Sequence, residues 1–558
     1  MSAAKTPRKS VGATRKKAPS KTTSARGNPK SASGWTALDL VLVAVSAGAM
    51  YASFPPVGWW FLMIPSLALL VGILDRVGPL RAAGYGALWA MAFFMPHISW
   101  MMVATGGTWG AWIALAAAQA FFLALWAGSF SALGTWAWAR SVPGEALGGA
   151  LLWVTFEELR SRIPFGGFAW AKLAYPQVDS PMVAYAPLGG EVLVAFLVVV
   201  CAVLLRRGLA VVGTELSLPS LPGRLAALAL LAVIAVAPAL VRLPNAQQAG
   251  ALDVGLVQGN VEIPHTETYA AAHKVTGNHV AETLHLAEEV RGGGEAPELV
   301  FWGEHSVDTD PRTDEQTAAM IQQASDAVGV PMTVGFTERD GDVRYNWVGT
   351  WYPAGGAQMD PGLAAALYGK QHPVPWGEYV PLRDLTLKLA PAAAQIGVDL
   401  APVENPGFME VTLNDGRVVP ISVGICFEVA YQPLITEGVL MGGQLIYIPT
   451  NNAHFQETAE SLQQLQMVQF RAAEFSRAAL QVSTNGVSAI VRPDGSVQAQ
   501  TGMQVAAGLL GTVPLRTAIT PAARIEGLLS WAVMLAGGAL AVASIGAHLY
   551  GKSLRRRG

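Results

Sequence analysis

The chain of 558 residues contains two cysteines, and one of them, Cys426, stands where a nucleophile would be displayed. It follows the run Val-Pro-Ile-Ser-Val-Gly-Ile (Val419 to Ile425), whose apolar, β-branched character predicts a buried strand that halts at a thiol, with Phe427 and the carboxylate of Glu428 next. A second short run, Glu-Leu-Val-Phe-Trp-Gly-Glu-His (Glu298 to His305), predicts a strand that ends on Glu304. Between the two, the segment from Tyr368 to Pro381 carries Lys370 and Glu378. A thiol with a reference pKa near 8.5 is mostly protonated at neutral pH, so it needs a base before it can attack a carbonyl. An acid, a lysine and a cysteine at strand ends and loops are the residue types that such acyl chemistry uses: base, oxyanion partner and nucleophile.

Other chemistries find less support. Cys201 sits within Val-Val-Val-Cys-Ala-Val-Leu-Leu, where a small thiol is ordinary packing. His273, His279 and His285 recur every six residues on a predicted helix, which spreads them around it as solvated side chains rather than as an i, i+4 ligand pair. No His-Glu-x-x-His pattern and no glycine-rich phosphate loop stands between a strand and a helix. The sequence therefore predicts no metal and no cofactor.

The elements that must position these residues fall into two classes. Hydrophobic residues make up 52% of the chain and charged residues only 14%, against a usual charged share of about 25%, so much of the chain is expected in lipid. Apolar stretches near 35–53, 57–74, 82–105, 108–138, 145–156, 187–205, 222–241 and 527–549 are candidate spans, with about 20 residues needed to cross the hydrocarbon. Residues 1–34 hold nine basic side chains and no acidic one, and the chain ends in Lys552, Arg555, Arg556 and Arg557. The positive-inside rule places both ends in the cytoplasm, which requires an even number of spans. Seven before the polar region and one after it satisfy that parity and put 246–520 outside. The expected organisation is thus a basic disordered tail (1–34), a membrane domain of seven spans (35–245), an extracytoplasmic catalytic domain (246–520) and an eighth span with a basic end (521–558). The tail reads as a topology anchor against anionic lipid, and no nucleic acid is expected as a partner.

With this layout, Cys426 is the one thiol outside the membrane, and an unpaired thiol in an oxidising compartment points to use. The order Glu304, Lys370, Cys426 resembles the Glu-Lys-Cys constellation of the nitrilase superfamily. The chain from about 35 to 550 resembles the apolipoprotein N-acyltransferases, bacterial membrane enzymes that add the third acyl chain to lipoproteins, with some actinobacterial flavour. Matching motifs are Gly-Leu-Val-Gln-Gly-Asn (Gly255 to Asn260), Trp-Gly-Glu (Trp302 to Glu304), Lys370 with His372, Val374, Pro375, Gly377 and Glu378, Gly-Ile-Cys-Phe-Glu (Gly424 to Glu428), Thr-Asn-Asn-Ala (Thr450 to Ala453) and Ser-Thr-Asn-Gly (Ser483 to Gly486). Gly-Gly-Phe-Ala-Trp (Gly166 to Trp170) is similar to a further signature of that family.

The resemblance implies eight transmembrane helices carrying an extracytoplasmic α/β nitrilase-like αββα sandwich. It implies a phospholipid acyl donor, diacylglyceryl lipoproteins as acceptors and a monomer in membrane lipid. It makes Glu304 the acid/base, Lys370 the oxyanion partner and Cys426 the nucleophile, with Glu378 and Glu428 in support. Glu428, two residues beyond the thiol, is expected on the same side of an extended chain as Cys426. Trp302, Trp376, Phe427 and Asn451 are expected around the substrate pocket. Relatives often have Pro where this chain has Gly303, Asp at Asn452, an aromatic at His454 and Tyr at Phe427. Two rival readings share the triad: a membrane-anchored nitrilase-type amidase, and a low-activity sister copy serving as a lipoprotein-processing scaffold. A transporter would need charged pairs within the spans, and the sequence places Asp39, Glu157 and Glu158 at span ends only.

Overall fold

The computed structural model describes residues 36–209, 220–261, 273–356, 359–389, 393–394 and 396–557. The basic tail of 1–34 lies outside them. Before the first strand come helices α1 (Ala37–Ala52), α2 (Met63–Leu74), α3 (Pro79–His97), α4 (Trp100–Ala104), α5 (Trp109–Leu133), α6 (Val142–Arg160), α7 (Ala186–Leu209) and α8 (Leu221–Ala235). Local chemistry sets several of their ends. Ser141 caps α6 by accepting from Gly144 N–H, with Pro143 in the first turn, where its missing N–H costs nothing. The stretch expected to run from 82 to 105 is divided between α3 and α4 just after Pro96.

Four helices among the described residues are long and apolar enough to cross a membrane: Trp109–Leu133, Pro181–Leu209, Leu221–Leu240 and Pro521–Leu554. Ala37–Ala52 and Trp60–Leu74 are apolar but shorter. The expected fifth span begins earlier and ends later than its apolar core, because α6 continues through Glu157, Glu158 and Arg160. These three are buried rather than lying at a wetted end, since each meets an opposite charge.

The remaining elements are β1 (Ala251–Gln258), α9 (Lys274–Arg291), β2 (Leu299–Trp302), α10 (Glu315–Val328), β3 (Met332–Asp340), β4 (Val343–Tyr352), β5 (Gly362–Gly369), α11 (Arg383–Leu389), β6 (Asp399–Leu400), β7 (Phe408–Thr412), β8 (Val418–Val423), α12 (Gln432–Leu440), β9 (Leu445–Thr450), α13 (Glu460–Phe475), β10 (Ala478–Ser483), β11 (Ala489–Val491), β12 (Val497–Gln500), β13 (Ala507–Pro514) and α14 (Pro521–Arg557). They build two sheets, one ordered β13-β1-β2-β3-β4-β5 with β6 beside β4, the other β12-β11-β10-β9-β8-β7. In each, three central neighbours run parallel: β1-β2-β3 and β8-β9-β10.

Period-two alternation decides which side chains meet between the sheets. From β2, Leu299 and Phe301 point to the partner sheet, where Phe301 packs on Tyr447 with centroids 4.9 Å apart. Val300 and Trp302 point the other way, into the layer of α9 and α10. From β9, Leu445 and Tyr447 face the inter-sheet core, while Ile446 and Ile448 face α13. That second helical layer is itself covered, because the same apolar cluster continues into the helices that precede β1. The result is a helix–sheet–sheet–helix sandwich seated on the apolar helices, with α13 buried between the two.

Candidate active site

Strand ends bring the predicted residues together. Glu304 follows β2, Lys370 follows β5, Cys426 follows β8 and Asn451 follows β9, so the side chains converge at one end of the paired sheets. Ligands in open α/β sheets bind at the carboxyl ends of parallel strands for the same geometric reason. The backbone takes unusual turns around the site. His305 (φ 49), Trp376 (φ 56) and Cys426 itself (φ 56) occupy the left-handed region that non-glycine residues rarely adopt. At Cys426 this turns the chain from β8 into a 3₁₀ turn, Cys426–Ala430. The expectation that Glu428 lies beside Cys426 on extended backbone is corrected by this turn.

Glu304 is 2% exposed and fully engaged. Its Oε1 accepts from Lys370 Nζ (3.1 Å) and Asn346 Nδ2 (2.7 Å), and its Oε2 from the backbone N–H of Asn451 (2.9 Å). Burial alone would raise its pKa, but the Lys370 ammonium, the neighbouring His305 and the hydrogen bonds from Lys370 and Asn346 outweigh burial and hold the carboxyl below its usual value. Lys370 also donates to Glu378 Oε1 at 2.6 Å, while Glu378 Oε2 accepts from Val374 N–H at 2.7 Å. Burial would lower the lysine, yet the charges of Glu304 and Glu378 push it well above its ordinary value. The Cys426 thiol is driven the opposite way: burial and then the Glu304 charge raise it well above a normal thiol, with Lys370 pulling back. Together these directions favour the charged forms of Glu304 and Lys370 and the neutral form of the Cys426 thiol.

Glu428 binds two segments together. Its Oε2 accepts from Tyr368 OH (2.7 Å) and Ile425 N–H (2.7 Å), and its Oε1 from the N–H groups of Gln371 (2.7 Å) and His372 (2.8 Å). Burial pushes its pKa up. With both oxygens already accepting two hydrogens, it acts as a staple between the thiol turn and the Lys370 loop rather than as a proton carrier.

The four expected pocket residues separate. Phe427 stacks on Trp170, with centroids 5.4 Å apart and planes 4° from parallel, and on Phe168 at 6.1 Å. Both partners come from the Gly166–Trp170 segment that precedes α7, so an aromatic wall stands beside the thiol turn. Trp376 is 47% exposed and meets Phe165 edge-on at 5.3 Å. Asn451 holds Glu304 through its main chain and uses its side-chain oxygen on Ala453 N–H and Thr484 OH. Trp302 is a correction: it is fully buried in the α9–α10 layer, its indole N–H donating to Thr283 at 3.0 Å, because alternation in β2 turns it away from the site. His279 is a second correction. It is buried against Trp302, with ring centroids 5.4 Å apart, rather than solvated.

Sequence reasoning missed Asn346, Glu460 and Gln464. The signal for Asn346 was an amide within the apolar run of β4, where an unpartnered polar group would be costly. Among the described residues, no group of three or more His, Cys, Asp and Glu is placed to hold a metal ion.

The family model for the apolipoprotein N-acyltransferase N-terminal domain matches residues 46–204, and the carbon-nitrogen hydrolase model matches 263–518. The apolipoprotein N-acyltransferase of Mycolicibacterium smegmatis is 34% identical over 92% of this chain and 87% of its own length. The chain belongs to the apolipoprotein N-acyltransferase family. The enzyme of that name from Azotobacter vinelandii is 30% identical over 89% of this chain and 94% of its own. Among solved structures, an amidase from Nesterenkonia sp. AN1 is similar over 50% of this chain and 99% of its own, at 14% identity and a TM-score of 0.35. As an apolipoprotein N-acyltransferase family member, the protein is an acyltransferase of lipoprotein maturation on a nitrilase-superfamily domain, and its apolar helices suit a membrane protein. The match favours neither the amidase nor the scaffold reading.

Proposed function

We propose that the protein transfers a fatty acyl chain from a phospholipid to the α-amine of a lipoprotein's diacylglyceryl-cysteine by way of a thioester on Cys426. The observation that carries this is the convergence of Cys426, Glu304 and Lys370 at one end of the paired sheets, with Lys370 Nζ 3.1 Å from Glu304 Oε1 and the Phe168–Trp170 wall beside the thiol turn. Glu304 takes the S–H proton as sulfur attacks the ester carbonyl, and the S–C bond forms. Lys370 has three N–H hydrogens and spends two on Glu304 and Glu378, so the third is free to meet the oxyanion, together with backbone N–H around Phe427. The ester C–O bond then breaks and Glu304 returns the proton to the departing lysophospholipid alkoxide.

In the second half-reaction the amine, with a reference pKa of about 7.7 to 8, attacks in its neutral form. The C–N bond forms, the C–S bond breaks, and Glu304 passes the amine proton to the thiolate. Glu378 and Glu428 hold Lys370 and the thiol turn. The aromatic wall of Phe168, Trp170 and Phe427 suits an acyl chain arriving from lipid.

The topology that serves this reaction has eight spans, cytoplasmic ends and an outward-facing catalytic domain from 246 to 520. Support comes from the basic ends of the chain and from the seating of the sandwich on the apolar helices. The test is mass spectrometry in two stages. Incubation with phospholipid alone should add one acyl chain to the Cys426 peptide, and adding a diacylated lipoprotein should move that chain to its N-terminal cysteine. Release of free fatty acid without an acylated acceptor would replace this reading with an amidase-like hydrolase.

A further inference from the structure

Helix α13 carries two adjacent glutamines, Gln463 and Gln464, at the end of its first turn, and they face different partners. Gln463 Oε1 accepts from the indoles of Trp100 (3.1 Å) and Trp170 (2.7 Å), and its Nε2 donates to the His97 carbonyl (3.0 Å). This residue ties the helix to the apolar helices beneath it. Gln464, fully buried, points its Nε2 at Cys426 Sγ, 3.6 Å away, a hydrogen-bonding distance for sulfur.

Which end of the Gln464 amide meets the sulfur is fixed by a chain of bonds. Ser483 Oγ accepts the N–H groups of Gly486 (2.8 Å) and Asn485 (3.4 Å), which uses both of its lone pairs, so its own hydrogen goes to Asn452 Oδ1 (2.6 Å), and Thr450 Oγ1 approaches the same oxygen at 3.0 Å. With Oδ1 occupied, Asn452 Nδ2 faces the other way and donates to Glu460 Oε2 (2.7 Å) and Gln464 Oε1 (3.0 Å). A glutamine whose oxygen is held in this way has only its NH₂ left for the thiol. Gly486 makes room for the arrangement, since a Cβ there would lie 2.3 Å from Asn452 Oδ1.

We propose that Gln464 is a fourth catalytic residue whose amide N–H holds negative charge on Cys426 Sγ. The proposal rests on the thioester reading above. In loading, the S–H proton goes to Glu304, the S–C bond forms and the ester C–O bond breaks. In transfer, the C–N bond forms, the C–S bond breaks and its electron pair returns to Sγ, where the Gln464 N–H meets it. Gln464 gives up no proton in either step. Asn452 and Glu460 are positioning residues. A carboxylate at 452 would have no N–H and could not donate to both Glu460 and Gln464; the amide found here does. Burial pushes the Glu460 carboxyl up to about 8, with a smaller push from the Glu304 charge, so the positioning group adds little negative charge beside the base at neutral pH.

The experiment uses the full-length protein in lipid nanodiscs. The rate of iodoacetamide addition to the Cys426 peptide is followed against pH, together with single-turnover acyl loading from phospholipid, for the wild type, Gln464→Met and Asn452→Asp. Gln464→Met keeps the length and removes the donor. Its alkylation midpoint should rise by about one pH unit and its loading should slow by about 10- to 100-fold, the effect of losing one hydrogen bond to an ionised group. Asn452→Asp, which leaves Gln464 in place but releases its oxygen, should shift both in the same direction by less. A wild-type alkylation profile with wild-type loading in Gln464→Met overturns the proposal. Should that variant not fold, an unshifted profile in Asn452→Asp overturns it alone. Absence of any acyl adduct on Cys426 in the wild type would instead overturn the thioester reading, while the alkylation profile still decides whether Gln464 acts on the sulfur.

Discussion

Two charge clusters meet the two ends of the Cys426–Ala430 turn, and the proposed chemistry uses only one of them. On one side stand Glu304, Lys370 and Glu378. On the other, Lys172 bridges Glu158 (2.7 Å) and Glu191, and Arg471 bridges Glu191 (2.9 Å) and Glu474 (2.6 Å). Arg471 also donates to the carbonyls of Val429 (3.0 Å) and Ala430 (3.3 Å), so this second cluster grips the back of the thiol turn. Glu526 of α14 joins by accepting from Glu191 N–H at 2.9 Å. It comes that close because α7 is kinked at Gly190 (φ 62), where a Cβ would lie 2.0 Å from its carboxylate.

Each cluster takes charges out of water, and each recovers that cost through mutual pairing. The difference is what is left over. In the second cluster the cations are shared among carboxylates and main-chain carbonyls, and the hydroxyl that joins them, Ser530, spends its hydrogen on Glu158. In the first, Lys370 donates to two carboxylates and has a third hydrogen to offer, and the Glu304 carboxyl is held below its usual value while the Cys426 thiol beside it is held above its own. Burial and pairing alone therefore do not mark a site; an unspent donor and a transferable proton do.

The largest effects should come from the first cluster. Cys426→Ala should abolish both the acyl adduct and lipoprotein triacylation, read by mass spectrometry, and a variant still acylating would end the assignment. Glu304→Gln keeps size and loses proton uptake, so both half-reactions should slow by about 10² to 10⁴. Lys370→Met should cost about 10² to 10³ through each tetrahedral intermediate. Near-normal turnover in either would reduce that residue to a structural role and erase the contrast between the clusters.

Breaking the second cluster should act on stability instead. Glu191→Gln leaves Lys172 and Arg471 buried with one carboxylate fewer, a change that costs about 3–5 kcal/mol when a buried pair loses a partner. Thermal unfolding should show that loss, while turnover per folded molecule stays within the same order of magnitude. A variant that melts like the wild type yet has lost turnover would place the second cluster in the chemistry.

How far the sequence reveals these clusters follows from their local context. Glu304, Lys370 and Cys426 are legible because each ends an apolar run, and a polar residue at a strand end is conspicuous. Trp302 misleads because nearness in sequence to Glu304 says nothing about its face once β2 ends and the chain turns. Glu460, Gln463 and Gln464 escape because a polar stripe on a helix normally means solvent. Here α13 is covered on both sides, by its sheet and by the apolar helices, so its polar residues are buried and must find partners. The same covering hides the second cluster, whose members lie as far apart in the chain as Glu158 and Arg471. The bounds of the spans were also only partly legible, since α6 carries its charged end into the interior, where partners from other segments satisfy it.

The smallest expected effect is a displacement of the acid limb of the loading rate. On the proposed mechanism loading requires Glu304 ionised, and its folded pKa lies below its ordinary value, so activity should be present above that folded pKa and lost as pH falls through it. The same sign holds for stability: the contribution of Glu304 is complete above the unfolded value, about 4.3 for a free Glu, and disappears as pH falls through the lower folded one. Three groups hold the value down to different degrees, the Lys370 charge most, then His305, and the Asn346 hydrogen bond less. Asn346→Leu, close in size to the amide it replaces, should therefore move the acid limb upward slightly and leave turnover near neutral pH unchanged in order of magnitude. Lys370→Met should move the limb further in the same direction, because burial then acts on Glu304 without its chief counterweight. Single-turnover loading across pH, read as acyl-Cys426, gives the order wild type, Asn346→Leu, Lys370→Met from lowest limb to highest. A limb that ignores both substitutions belongs to some other carboxylate, and the base in the first cluster would have to be sought again.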